Sequence, residues 1–145
     1  MLCKFLKSLF GKPKKKVEYV PKPATYTTKR EDDFTALVNN YRIANGLKPL
    51  YVEQENYKAS QLRTKELQQQ GKLSHDTFDP IRELLINLGL NYAGENIAWR
   101  YTDINKAFRA LTNSPKHNKN MLNDRWKYTG VSITEDDYYC QIFSR

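Results

Sequence analysis

Three short segments in the second half of the chain, ENIAWRY (95–101), YTGVSIT (128–134) and YYCQIFS (138–144), carry the alternation and the aromatic residues of β-strands. The first half has a different period. Phe34, Leu37, Val38 and Tyr41 recur at i, i+3, i+4 and i+7, which predicts a helix with one apolar stripe. Asp32 or Asp33 can cap its start, and Asn45-Gly46 ends it. A second helix is expected over 53–70, with Ala59, Leu62 and Leu67 as a weaker stripe and Gly71 as its stop. FDPIRELLINLGL (78–90) predicts a third, with Asp79 as cap, Pro80 in the first turn and Gly89 beyond the end. Asp103 opens a fourth that carries Ile104, Ala107, Phe108 and Leu111, and Pro115 interrupts it or starts a new turn. EDD (135–137) joins the last two strands as a hairpin. The order of helices, strand, helix and hairpin predicts an α+β domain, with helices covering a small antiparallel sheet. There is no internal repeat.

Charge divides the chain in two. Of 24 basic and 16 acidic residues, nine basic ones and a single acid fall within residues 1–30, so residues 31–145 hold 15 of each and the whole net charge of +8 lies within residues 1–30. Residues 1–16 read as a cationic amphipathic arm, 17–32 as an extended linker with two prolines, and 33–145 as the folded domain. At 145 residues the chain suffices for one domain with one core. Cys3 and Cys140 do not make a disulfide framework. No stretch reaches the ~18 apolar residues of a membrane span. The opening MLCKFLKSLF is not a signal peptide by pattern, because Lys4 and Lys7 interrupt its apolar run and no small-residue cleavage site follows.

The arm predicts attachment. Leu2, Phe5, Leu6 and Phe10 lie at helical spacing, and Lys12, Lys14, Lys15 and Lys16 follow directly. A cationic amphipathic segment can lie on an anionic membrane surface or dock into a groove on a protein partner. Nucleic acid is the weaker fit, since the lysines have no interleaved aromatic residues and the neutral body offers no basic face.

The chemistry-bearing residues are few. The chain has two histidines, His75 in LSHDTFD and His117 in SPKHNKNML, and GENIAWR between them holds Glu95 as its one acid. No HExxH or CxxC pattern is present, and 42 positions between histidines carry little information alone. Ser74 and Ser114 each lie close to a histidine in sequence, but sequence neighbours do not make a Ser–His dyad.

Taken in order, LVNNYRIANGLKPL, KLSHDTF, GENIAWRY, LTNSPKHNKNML and YTGVSIT resemble the CAP superfamily, also called SCP, in its compact bacterial branch. That superfamily comprises cysteine-rich secretory proteins, antigen five and plant pathogenesis-related proteins. The resemblance covers about residues 34–145. It implies an α-β-α sandwich with a cleft lined by two histidines and two acids, three of which match His75, Glu95 and His117. It therefore implies a site for Zn²⁺ or another divalent cation, or for a small or lipid ligand. The fourth acid is missing: NKAFRALTNSPK has none, and Asn113 or Ser114 stands near its place, while Leu111 replaces an aromatic residue. Cation binding should then be weak, and Glu95 is the sole candidate general base. The expected function is a non-catalytic binding or adaptor module tethered by its arm. The alternatives are a metal-dependent hydrolase and a structural component of a larger assembly such as a phage particle. The family is mostly extracellular, which the absent export signal does not match.

Overall fold

The computed structural model describes residues 25–90 and 92–145. The arm residues Leu2, Phe5, Leu6, Phe10, Lys12, Lys14, Lys15 and Lys16, and Cys3 with them, lie outside the described residues.

The first helix, α1 (Lys29–Ala44), starts earlier than Asp32 or Asp33 would set it, because Thr28 caps it. Thr28 and Glu31 form a capping box: each side chain bonds the other's backbone N–H, which satisfies two otherwise orphaned donors. Glu31 does more than cap. Its carboxylate is buried and also accepts from the Ile133 N–H at 3.1 Å and from the Tyr57 hydroxyl at 3.1 Å. Burial and the Glu31 charge push the Tyr57 hydroxyl up to about 12. One capping acid thus ties α1 to two other elements. Arg30 adds a second tie, with its guanidinium on Asp137 at 2.6 Å, the Tyr139 hydroxyl at 2.7 Å and the Tyr101 carbonyl at 3.0 Å.

The remaining elements are β1 (Tyr51–Val52), α2 (Gln54–Gln70), α3 (Phe78–Asn87), β2 (Ala93–Trp99), α4 (Ile104–Asn113), α5 (Pro115–Met121), β3 (Tyr128–Ile133) and β4 (Tyr138–Ser144). The strands form one sheet in the order β1-β3-β4-β2. β2, β4 and β3 are antiparallel neighbours, as expected. β1 makes the sheet mixed, because it runs parallel to β3 with Tyr51 opposite Tyr128. Two residues are too short for a sequence period to reveal. Asp79 is not the cap of α3 but lies in its first turn, after Thr77, whose hydroxyl is engaged elsewhere. Pro115 opens α5, since its fixed φ suits a first helical residue and its missing N–H costs nothing there.

Strand alternation sends side chains to two opposite cores. On one face Ala98, Val131, Tyr139 and Phe143 pack with Phe34 and Val38 of α1, Ala107 and Leu111 of α4, Met121 of α5, and Trp126. On the other Ala93, Ile97, Tyr138, Cys140 and Ile142 pack with Ala59 and Leu67 of α2 and Ile81 and Leu85 of α3. The result is an α-β-α sandwich. The stripe expected on α2 is only partly correct. Leu62 is 50% exposed, while Asn56, Ser60, Arg63 and Thr64 are buried. α2 therefore meets the sheet with a largely polar face. The polar groups are paired: Asn56 with the Ser144 hydroxyl at 2.9 Å and Thr64 with the Ser132 hydroxyl at 3.0 Å.

α2 reaches the sheet where Gly130 leaves room. A Cβ at Gly130 would collide with the backbone of Asn56 and Tyr57, which cannot move aside as a side chain could. Gly130→Ala should destabilise the domain by about 2 kcal/mol or more, the upper part of the range for overpacked sites. Urea denaturation should show the lowered midpoint. A variant as stable as the parent would mean that α2 does not rest on β3 at this point.

Candidate functional site

β2 carries adjacent residues to opposite faces of the sheet, and the site is built around that fact. Glu95 points towards the α2 and α3 layer, where Arg63 of α2 meets it. Arg63 Nε donates to Glu95 Oε2 at 2.5 Å and its Nη2 to Oε1 at 3.1 Å. Both side chains are inaccessible to solvent, at 0% and 1%. This two-pronged pairing is the strong form of a guanidinium–carboxylate contact. Burial alone would lower the Arg63 guanidinium; the bond to Glu95 and its charge outweigh that and hold it above its ordinary range. Arg63 also donates to Glu66 at 2.8 Å, to the Ser74 carbonyl at 2.7 Å and to the Thr77 hydroxyl.

Those last bonds set the loop between α2 and α3, and that loop presents His75. His75 Nδ1 donates to Glu95 Oε1 at 2.8 Å. A carboxylate only accepts, so the proton is on Nδ1 and Nε2 is left for a ligand. Ser74 is spent within the loop, its hydroxyl accepting from the Asp76 N–H at 3.1 Å.

Asn96, the next residue of β2, holds the opposite wall. Its amide donates to the His117 carbonyl at 3.0 Å, and Asn120 donates to Asn96 Oδ1 at 3.0 Å and to the Glu95 carbonyl at 3.1 Å. These bonds fasten α5 across β2. Trp126 supports them from behind, with its indole N–H on the Asn120 carbonyl at 2.9 Å. Its ring lies close over Gly94, where a Cβ would stand 2.9 Å from it. His117 is half-buried on α5. Burial first, and the nearby His75 second, push its imidazole below the ordinary value.

His75, Glu95 and His117 therefore line one cleft, with Asn96, Ser114, Lys116, Lys119, Asn120 and Asn123. It is an open cavity of about 450 Å³. The three residues share a site, yet they do not fit a divalent ion. Both oxygens of Glu95 are taken by a buried cation, one of them by His75 as well. Among the described residues, no group of three or more His, Cys, Asp or Glu is placed to hold a metal. Arg63, the residue that decides this, escapes the sequence reading. Its spacing does carry a signal: residues 59, 63 and 67 follow at i, i+4 and i+8, so Arg63 lies on the stripe of Ala59 and Leu67.

Cys140 of β4 closes the site from beneath. It is a free, fully buried thiol that donates to Glu95 Oε2 at 3.6 Å. Burial, and then the Glu95 charge, raise it well above its usual value, so it stays a thiol and is not a nucleophile.

The family model for the cysteine-rich secretory protein family (CAP) matches residues 35–144. The chain belongs to this family. Its likeness to bacterial members is moderate. It is 28% identical over 109 residues to the uncharacterized protein YkwD of Bacillus subtilis, covering 72% of this chain and 42% of YkwD. Over 120 residues it is 28% identical to the uncharacterized membrane protein YlbC of the same organism, covering 80% of this chain and 34% of YlbC. The chain thus spans less than half the length of these relatives. Among solved structures, an extracellular protein of Bacillus anthracis containing an SCP domain superposes with a TM-score of 0.73 at 28% identity, over 80% of this chain and 40% of that one. An outer surface protein of Borrelia burgdorferi gives 0.73 at 18% identity, over 82% of this chain and 94% of that one, a likeness of fold. Among the described residues, no helix is long and apolar enough to cross a membrane.

Two outcomes follow from the buried pair and the half-buried imidazole. Arg63→Met leaves the Glu95 charge buried without its partner and should cost about 3–5 kcal/mol of stability, read as a lowered denaturation midpoint; a loss under about 1 kcal/mol, the worth of a surface pair, would mean that the pair is solvated. For His117 the sign is set by its depressed value. The unfolded chain binds this proton more readily than the folded one. The stability held by neutral His117 is fully present above the unfolded value of about 6.5 and is lost as pH falls through the lower, folded value. His117→Gln should therefore flatten the fall in stability as pH drops below about 6.5. Parallel pH profiles for parent and variant would contradict the assigned burial.

Proposed function

We propose that the chain is a non-catalytic binding module of the CAP family, which holds a ligand in the His75–Glu95–His117 cleft and is tethered to a surface by its N-terminal arm. The observation that carries this is the pairing of Glu95 with Arg63. The one carboxylate in the cleft is spent on a structural ion pair, so it is free neither to ligate a cation nor to act as a base. Among the described residues, no serine, threonine or cysteine is hydrogen-bonded to either imidazole to serve as a nucleophile. The Cys140 thiol beneath it is protonated and sealed from solvent. A ligand site whose imidazoles are paired with no nucleophile is suited to binding.

Surface attachment is the second half of the proposal. The Bacillus anthracis relative is described as extracellular and the Borrelia protein as an outer surface protein. The basic cluster Lys12, Lys14, Lys15 and Lys16 gives this chain a means to stay at an anionic surface.

Two measurements test the two halves. Ester, peptide and phosphodiester substrates, with Zn²⁺ or Mg²⁺ added, should show no turnover above background; turnover that His117→Ala abolishes would sink the binding-module reading. In sedimentation with phosphatidylserine vesicles, the full chain should pellet. Changing the four lysines to glutamine should remove about 4 kcal/mol of attraction at about 1 kcal/mol each, on the order of a thousandfold in partitioning. Equal pelleting of both proteins would show that the arm is not the tether.

A further inference from the structure

The cleft's charge is opposite to the one that two histidines and two acids would give. Lys116 and Lys119 both line it, three residues apart on α5, where positions i and i+3 share a face. Neither forms an ion pair among the described residues. Glu95 is the only acid in the lining. Counting also Arg63 and Glu66 behind it, three cations face two carboxylates, so the group keeps +1 before either imidazole takes up a proton.

The donors point the same way. Asn96 and Asn120 are committed to holding α5, as described above. What remains for a ligand is His75 Nε2, the His117 ring, the Ser114 hydroxyl and the two ammonium groups, together with the Asn123 amide. The ammonium groups can only donate, and the Ser114 hydroxyl and the Asn123 amide can donate as well. His75 Nε2, with the ring proton on Nδ1, faces the ligand as an acceptor for a phosphate O–H. A cluster of donors with excess positive charge inside a concave wall matches an anion that has several oxygens. Lysine serves such an anion as a point charge. A volume of about 450 Å³ exceeds a bare phosphate and leaves room for the group that carries it.

We propose that the cleft binds the phosphate group of a phosphorylated small molecule or lipid headgroup, with Lys116 and Lys119 supplying the charge, the Ser114 hydroxyl and the Asn123 amide the directed donors, and His75 and His117 lining the phosphate. This inference rests on the cleft being a ligand site and names what occupies it. Arg63 is then a positioning residue. It neutralises Glu95, which would otherwise repel the anion, and it fixes the loop that presents His75.

The test uses the full chain and a convenient property of it: the two histidines are the only ones in the sequence, and both line the cleft. Their ring C–H signals report on the site alone, without interference from the lysines of the arm. At constant pH and ionic strength, inorganic phosphate and glycerol phosphate should each shift both rings with saturation, and chloride should not. Short-chain phosphatidic acid below its micelle concentration is the lipid arm. Tighter saturation by it than by glycerol phosphate assigns a lipid headgroup, and equal saturation assigns a soluble phosphate. Changing both Lys116 and Lys119 to glutamine should weaken binding at least tenfold with the unfolding midpoint unchanged, because both side chains are exposed. Ring signals that stay fixed in phosphate but saturate with Zn²⁺ would overturn the anion site and leave the binding module standing. Saturable phosphate binding equally strong in the double lysine variant would also overturn it. Hydrolysis of glycerol phosphate by the protein would instead overturn the binding-module reading while the anion site stood.

Discussion

The buried pair of Arg63 and Glu95 is the contact on which both the fold and the cleft depend. A carboxylate at 1% exposure on a β-strand is tolerable only if something cancels its charge and fills its hydrogen bonds. Arg63 does both, and its remaining donors run on to Glu66, Ser74 and Thr77. One guanidinium thus joins a helix, a strand and a loop. Such a pair adds little net stability compared with apolar packing of the same volume, but losing either member strands the other. Its effect is on position: it determines where His75 stands.

The opposite wall is set by a weaker kind of contact repeated several times. Asn96, Asn120 and Trp126 each donate to a backbone carbonyl, and α5 lies where they hold it. α5 has only seven residues, too few to persist as a helix by itself. Its asparagines are poor helix formers and good partners for backbone groups. The NSPKHNKNML segment therefore reads as a piece of chain suited to tertiary hydrogen bonds over helix propensity, and this positions His117 and the two lysines together.

Much of the fold is legible because its long elements follow a period. Phe34 and Val38 of the α1 stripe are buried, with Leu37 and Tyr41 half-buried beside them, and the Asp103 cap is formed. Three strands lie near the segments read, although β2 spans Ala93–Trp99 and not 95–101, because the chain turns at Arg100 with φ 70°. The misses share a cause. Thr28 wins the α1 cap over Asp32 and Asp33 through a bond that needs Glu31 three residues later, a pair that single-residue reasoning skips. Leu62 reads as inward, and Arg63 as unremarked, when hydrophobicity is the only criterion applied to α2, a helix whose buried face is largely polar. β1 is fixed by a parallel partner more than seventy residues away and leaves no local trace.

The site follows the same logic. Three family-like words bring His75, Glu95 and His117 to one cleft, and in the structure all three line it. Residue identity alone suggests a cation, since imidazoles and carboxylates are metal ligands. What a carboxylate does, however, depends on what already occupies its oxygens. Once Arg63 has taken both, Glu95 ceases to be an acid in the chemical sense that matters to a ligand and becomes part of the wall. The charges still facing the cavity are then those of Lys116 and Lys119, and the missing fourth acid is consistent with them: a carboxylate on the helix before His117 would lie beside two lysines and cancel the field they create. The sequence resemblance implies two acids and two histidines; in this chain Arg63 neutralises the one acid of the cleft, and Lys116 and Lys119 remain as its unpaired charges among the described residues.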